Sequence, residues 1–195
     1  METTLVEESL RDSIEAKEEF LASGNTVRIV EAADLIAEVF KGGGKLLIAG
    51  NGGSAADAQH LAAEFVNRFE IERPPLPAVA LTTDTSIITS IGNDYSFDDV
   101  FAKQVKALGR AGDVLLAIST SGSSTDVEKA VRCAAALDMK TIALTGGDGG
   151  SIAPLADIPI NVASRSTPRI QEVHITVCHI LCQLVDHILF GKVPR

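Results

Sequence analysis

Five short, nearly unbroken apolar runs recur along this chain, at 45–50, 77–81, 113–118, 140–145 and 158–162. Helical patterns lie between them, around 54–67, 85–91, 98–108, 124–137 and 149–155. A strand that is apolar on both faces must be covered on both, and strands separated by helix-length segments pair in parallel. The alternation therefore predicts an α/β fold: a three-layer αβα sandwich around a five-stranded parallel sheet. Two amphipathic segments precede the first run. Residues 4–23 place Leu5, Leu10, Ile14, Phe20 and Leu21 at helical spacing and belong to no strand–helix unit, so they form either a packing arm or an oligomer contact. A second helix is predicted from Thr26, an N-cap candidate, to Phe40, ended by Gly42, Gly43 and Gly44. A last helix over 168–189 carries the stripe Ile170, Val173, Val177, Ile180, Leu184 and Ile188. No linker or repeat divides the chain, which reads as one domain over 1–195, with helices in 1–40 and the α/β core in 41–195.

Two of the runs end in glycine- and hydroxyl-rich turns. The first turn is Asn51-Gly52-Gly53-Ser54 and the second is Ser119-Thr120-Ser121-Gly122-Ser123-Ser124. Each leads into a helix, whose N-terminal N–H groups and dipole favour an anion. Capping needs one hydroxyl; the second turn supplies five. A phosphate ester held at the carboxyl ends of the strands is the expected guest. Gly50-Asn51-Gly52-Gly53-Ser54-Ala55 also fits the G-x-G-x-x-A dinucleotide fingerprint. The acidic residue that should close the second strand comes too late, at Asp84, so a nicotinamide cofactor is not expected.

Charge narrows the partners. Lys plus Arg number 17 and Asp plus Glu 26, a net charge of −9. A nucleic-acid surface needs clustered positive charge, and aromatic content of 4% without Trp gives no stacking platform for bases. Three cysteines, Cys133, Cys178 and Cys182, and no leader-like segment point to a reducing cytoplasm, and no apolar run suggests a membrane span.

The helix after the first turn carries His60 and Glu64 four residues apart on one face, with Arg68 a turn further. A solvated ladder and a proton-transfer pair are equally compatible with that spacing. Glu64 borders the apolar stretch Leu61–Val66. In the last helix Gln171 and His179 are two turns apart on one side, and His174, Cys178 and Cys182 form a row better read as buried packing than as a metal site. Asn93 and Asp94 are turn formers after a helix, or ligands for sugar hydroxyls.

Taken together, Gly50–His60, Asn93-Asp94-Tyr95, Ile118–Ser124 and Arg169–His174 with His179 resemble the phosphoheptose isomerases of the sugar isomerase (SIS) group, over nearly the whole chain. The resemblance implies a flavodoxin-like sheet and conversion of sedoheptulose 7-phosphate to D-glycero-D-manno-heptose 7-phosphate, the first step toward activated heptoses of bacterial surface polysaccharide. It implies a substrate phosphate on Ser119, Thr120, Ser121 and Ser124. Asn51, Gly52, Gly53 and Ser54 line the first turn, and Asn93, Asp94, Glu64 and Gln171 contact the sugar. Glu64 and His179 match the acid/base pair. His60, Glu64, Gln171 and His179 match a zinc site, and the assembly implied is a homotetramer with sites at subunit boundaries. Two rivals share the framework. One is a non-catalytic tetrameric SIS scaffold that binds the replication initiator, which has no need of Glu64 with His179. The other is a sugar-phosphate sensor, which would carry a DNA-binding segment.

Overall fold

The computed structural model describes residues 2–191. Two helices, α1 (Glu2–Ala22) and α2 (Asn25–Lys41), lead into an alternating series: β1 (Leu46–Gly50), α3 (Gly53–Val66), β2 (Ala78–Ala80), α4 (Thr85–Asp94), α5 (Val100–Leu108), β3 (Val114–Ser119), α6 (Thr125–Ala136), β4 (Lys140–Gly146), β5 (Ile158–Val162) and α7 (Thr167–Phe190). The sheet is parallel throughout, in the order β2-β1-β3-β4-β5. The α/β sandwich expected from the apolar runs is the one observed.

Side-chain size explains how the layers sit. On one face Leu46, Ile48, Val114, Leu116, Ile118, Ile142 and Leu144 meet α2, α3 and α7 in the larger core. On the other, Ala49, Ala117 and Ala143 alternate with Leu47 and Leu115, and these small residues admit α5 and α6 close to the strands. α7 is apolar and long enough by composition to cross a bilayer, yet it is a core helix here, packed on α2, α3 and β4.

Three local expectations change. α2 starts at Asn25 rather than at a Thr26 cap; Gly24 precedes it at φ 79°, and the Asn25 amide donates across the fold to the carbonyl of Asn161 (3.0 Å). The segment 149–155 is not a full helix. Glycines at positive φ, Gly147, Gly149 and Gly150, keep it in turns, and only Ala153–Leu155 makes a 3-10 turn. Asn93 and Asp94 lie inside the last turn of α4 rather than after it, because the Tyr95 N–H still bonds the Ile91 carbonyl.

The strand order reverses at β1: the chain goes to β2 on one side and to β3 on the other. The carboxyl ends of β1 and β3 thus bound the crevice where open parallel sheets bind ligands. Gly50 pairs in register with Ile118, so both glycine- and hydroxyl-rich turns leave the sheet side by side, about 4.8 Å apart.

Candidate active site

The first turn is shaped by close backbone approach. A Cβ on Gly50 would stand 2.8 Å from the Ser54 carbonyl and 3.0 Å from that of Ile118. Gly52 adopts φ 54°, ψ −119° and precedes α3 without any side-chain cap. Ser54 is buried. Asn51 is pinned: its amide nitrogen donates to both oxygens of the buried Asp126 carboxylate (3.0 and 2.8 Å), which turns its carbonyl oxygen away from that contact. Asp84, which a dinucleotide site would use on a ribose, instead caps α4 by accepting from the Ile87 N–H (2.9 Å).

The second turn gathers its hydroxyls. Ser119 Oγ lies 3.0 Å from Ser124 Oγ and 3.4 Å from Ser121 Oγ. Ser124 is the N-cap residue of α6 but makes no capping bond, since its hydroxyl faces Ser119 instead. The surplus hydroxyls are therefore not spent on the helix. Thr120 is half-buried beside them. Gly122 (φ 65°) touches the backbone of Gly149 and Gly150, and its carbonyl accepts from the Ile152 N–H, so the loop after β4 buttresses this turn.

Between β1, α4 and α5 a cavity of about 190 Å³ opens beside the first turn, lined by Asn51, Gly52, Thr82, Ile88, Phe97 and Phe101 among others. Asn93 and Asp94 stand exposed at the far end of α4, joined to each other by a 2.8 Å bond from the Asn93 amide to the Asp94 carboxylate.

Further along α3 the chemistry changes. His60 Nε2 lies 3.2 Å from Glu64 Oε1 and 3.1 Å from Nε2 of His179 on α7. One ring nitrogen thus meets two electron-rich partners. A neutral His60 holds a single N–H or a single lone pair at that atom, so only one of the two contacts can be a hydrogen bond at a time. A proton on that nitrogen can serve only one of them, whereas a cation held among the three groups would satisfy all. Phe69 stacks on the His179 ring (centroids 5.6 Å, 24°) and steadies it. His60 and Glu64 remain open, with side chains 47% and 26% exposed. Arg68 does not extend the ladder. α3 ends at Val66, and Arg68 turns to Glu72 at 3.7 Å.

Gln171 sits apart from this trio. Its amide packs on Gly53, where a Cβ would come within 2.3 Å. Gly53 and His60 are seven residues apart, about 10 Å along the helix. Among the described residues no three His, Cys, Asp or Glu side chains form a closed metal cage. The paired imidazole nitrogens do fit zinc: two ligands at 2.0 Å in a tetrahedron stand about 3.3 Å apart. The His174–Cys178–Cys182 row is wholly buried. Burial pushes both thiols far up, and holds His174 down at about 4.

Three residues escaped the sequence reading. Asp126 orients Asn51 from 75 positions away. Asp57, one turn before His60, has a buried carboxylate oxygen without a partner, and burial raises its affinity for a proton. Arg73 is buried and joins α3 to α7 through Asp186. Only Asp57 left a trace, as an acid in the helix that follows the first turn.

Residues 10–146 match the SIS domain family. The chain is 58% identical over 171 residues to a phosphoheptose isomerase of Nitratidesulfovibrio vulgaris, covering 88% of this chain and 82% of that one. Solved phosphoheptose isomerases superpose closely. The one from Neisseria gonorrhoeae has a TM-score of 0.90 at 50% identity, covering 95% of this chain and 99% of its own. The one from Francisella tularensis has a TM-score of 0.92 at 43% identity, covering 96% and 99%. Family match, sequence identity and superposition agree, and this chain belongs to the phosphoheptose isomerases of the SIS domain family, a sugar-phosphate isomerase acting on a sugar-phosphate substrate.

Proposed function

We propose that this isomerase converts sedoheptulose 7-phosphate to D-glycero-D-manno-heptose 7-phosphate, the entry step to activated heptoses for bacterial surface polysaccharide. The single observation that carries the reading is the convergence of Glu64, His60 and His179 on one nitrogen atom. Aldose–ketose interconversion removes a proton from the carbon beside a carbonyl and returns one to its neighbour, through a cis-enediol. It needs a base and an acid within reach of adjacent atoms. Glu64 and His179 are that pair, and His60 relays between them.

The phosphate belongs on Ser119, Thr120, Ser121 and Ser124, with the α6 N-terminus behind it. Asn51 to Ser54 border the chain of the sugar, and Asn51, fixed by Asp126, offers its carbonyl oxygen to a hydroxyl. Gln171 reaches the same turn over Gly53, and Asn93 and Asp94 supply polar contacts at the rim. Binding energy from the remote phosphate orients the reacting carbons. Zinc belongs to the proposal: His60, Glu64 and His179 would hold it, with Gln171, which lies apart from them within one chain, joining only across a subunit boundary, and it would polarise the substrate carbonyl as a Lewis acid. A cytoplasmic homotetramer completes the reading, supported by the open histidine trio and by apolar side chains left on α1.

The test is incubation of purified protein with sedoheptulose 7-phosphate in D2O, with and without a chelator. Aldoheptose phosphate bearing deuterium at C2 supports the proposal. A folded protein that forms none overturns it, and returns the chain to the scaffold reading.

A further inference from the structure

We infer that Arg73 and Asp186 form a positioning brace that sets the distance between the helix bearing His60 and Glu64 and the helix bearing His179; the inference rests on the acid/base reading above. Arg73 lies in the loop between α3 and β2, and its side chain is 1% exposed. Its Nε donates to Asp186 Oδ1 at 2.7 Å. Nη2 donates to the backbone carbonyl of Glu64 itself (2.9 Å), and Nη1 to that of Phe65 (2.7 Å), with longer contacts to Pro74 and Asn67. A helix leaves its last carbonyls without partners. Here one guanidinium takes two of them, including that of Glu64, and its positive charge faces the negative end of the α3 dipole.

Asp186 is fully buried on α7, seven residues and two turns beyond His179, and so on nearly the same face. One side chain therefore touches the backbone of Glu64 and, through one carboxylate, the helix that presents His179. A buried ion pair is a weak device for stability, because matched apolar residues replace it at little cost. It is a strong device for geometry, because the planar fork fixes direction and distance together. The second Asp186 oxygen is buried without a partner, a cost that bulk stability does not explain.

The test pairs Arg73→Met with Asp186→Leu in the full-length protein. The double variant should keep its melting temperature and assembly. Its kcat should fall about tenfold or more, the size expected from a sub-ångström misplacement of reacting groups. KM should change less than about threefold, since the phosphate turn is remote. Long-range 1H–15N spectra provide a readout independent of turnover: the His60 and His179 ring nitrogens should shift while those of His174 do not. A folded double variant with wild-type kcat and unchanged ring signals overturns the brace. If the wild-type protein shows no turnover, the isomerase reading has failed, and the ring signals alone decide the brace. If the double variant does not fold, the near-isosteric Asp186→Asn carries the kinetic and ring-nitrogen measurements with the same expectations, at a lower melting temperature because the buried guanidinium loses its counter-charge.

Discussion

At the scale of single residues, His60 is the pivot, because its Nε2 cannot satisfy Glu64 and His179 together. Replacing Glu64 by Gln keeps size and hydrogen bonding but removes the base. Turnover should drop by about 100-fold or more while the phosphorylated ligand still binds; kinetics with calorimetry check this, and near-normal rates would refute the assignment. Gly53→Ala is a subtler probe. The new methyl would fall on the Gln171 amide, a movable side chain, and alanine suits a first helical turn. Catalytic efficiency should fall several-fold with the melting temperature unchanged, whereas wild-type kinetics would show that Gln171 does not serve the site. The sequence made the His60–Glu64 spacing visible, since four residues on a helix is a local relation. Spacing alone hid the meeting of His60 with His179, 119 positions away, which only the family resemblance grouped, because topology is what brings α3 beside α7. The clasp of Asp126 on Asn51 was hidden for the same reason.

At the scale of elements, the apolar runs and both turns were legible, since each is a local pattern of a few residues. The failures were at boundaries. Position 25 starts a helix because a glycine with left-handed backbone stands before it, and 149–155 fails as a helix because four glycines surround it. α7 carries a measurable consequence. His174 Nε2 donates to the Thr145 carbonyl (3.0 Å), while Nδ1 is buried without a partner. Burial disfavours the imidazolium and lowers its pKa from 6.5 to about 4. The unfolded chain binds the extra proton first, so stability is intact above pH 6.5 and is lost as pH falls toward 4. A displacement of that size corresponds to about 3 kcal/mol. Denaturant midpoints should follow this slope, and a folded His174→Gln variant should flatten it; an identical slope in the variant would assign the loss elsewhere.

At the scale of the whole molecule, α1 is the unfinished element. Leu5, Val6, Leu10, Ile14 and Leu21 are 57–68% exposed, and Ala16 is its one buried residue among those described. The proposed homotetramer would cover such a stripe with another chain. Leu10→Glu with Ile14→Glu should shift the sedimenting species to a smaller mass and reduce turnover with it; unchanged mass would limit α1 to packing within its own chain. The second turn has a final consequence. It contains neither lysine nor arginine, so the turn itself would grip a dianion with neutral dipoles, on a protein of charge −9. Sodium chloride can screen only the long-range repulsion here, having no short-range ion pairing to weaken. Raising it from about 20 to about 200 mM, which shortens the Debye length severalfold, should leave KM constant or lower it, the reverse of what a lysine-built anion site would do.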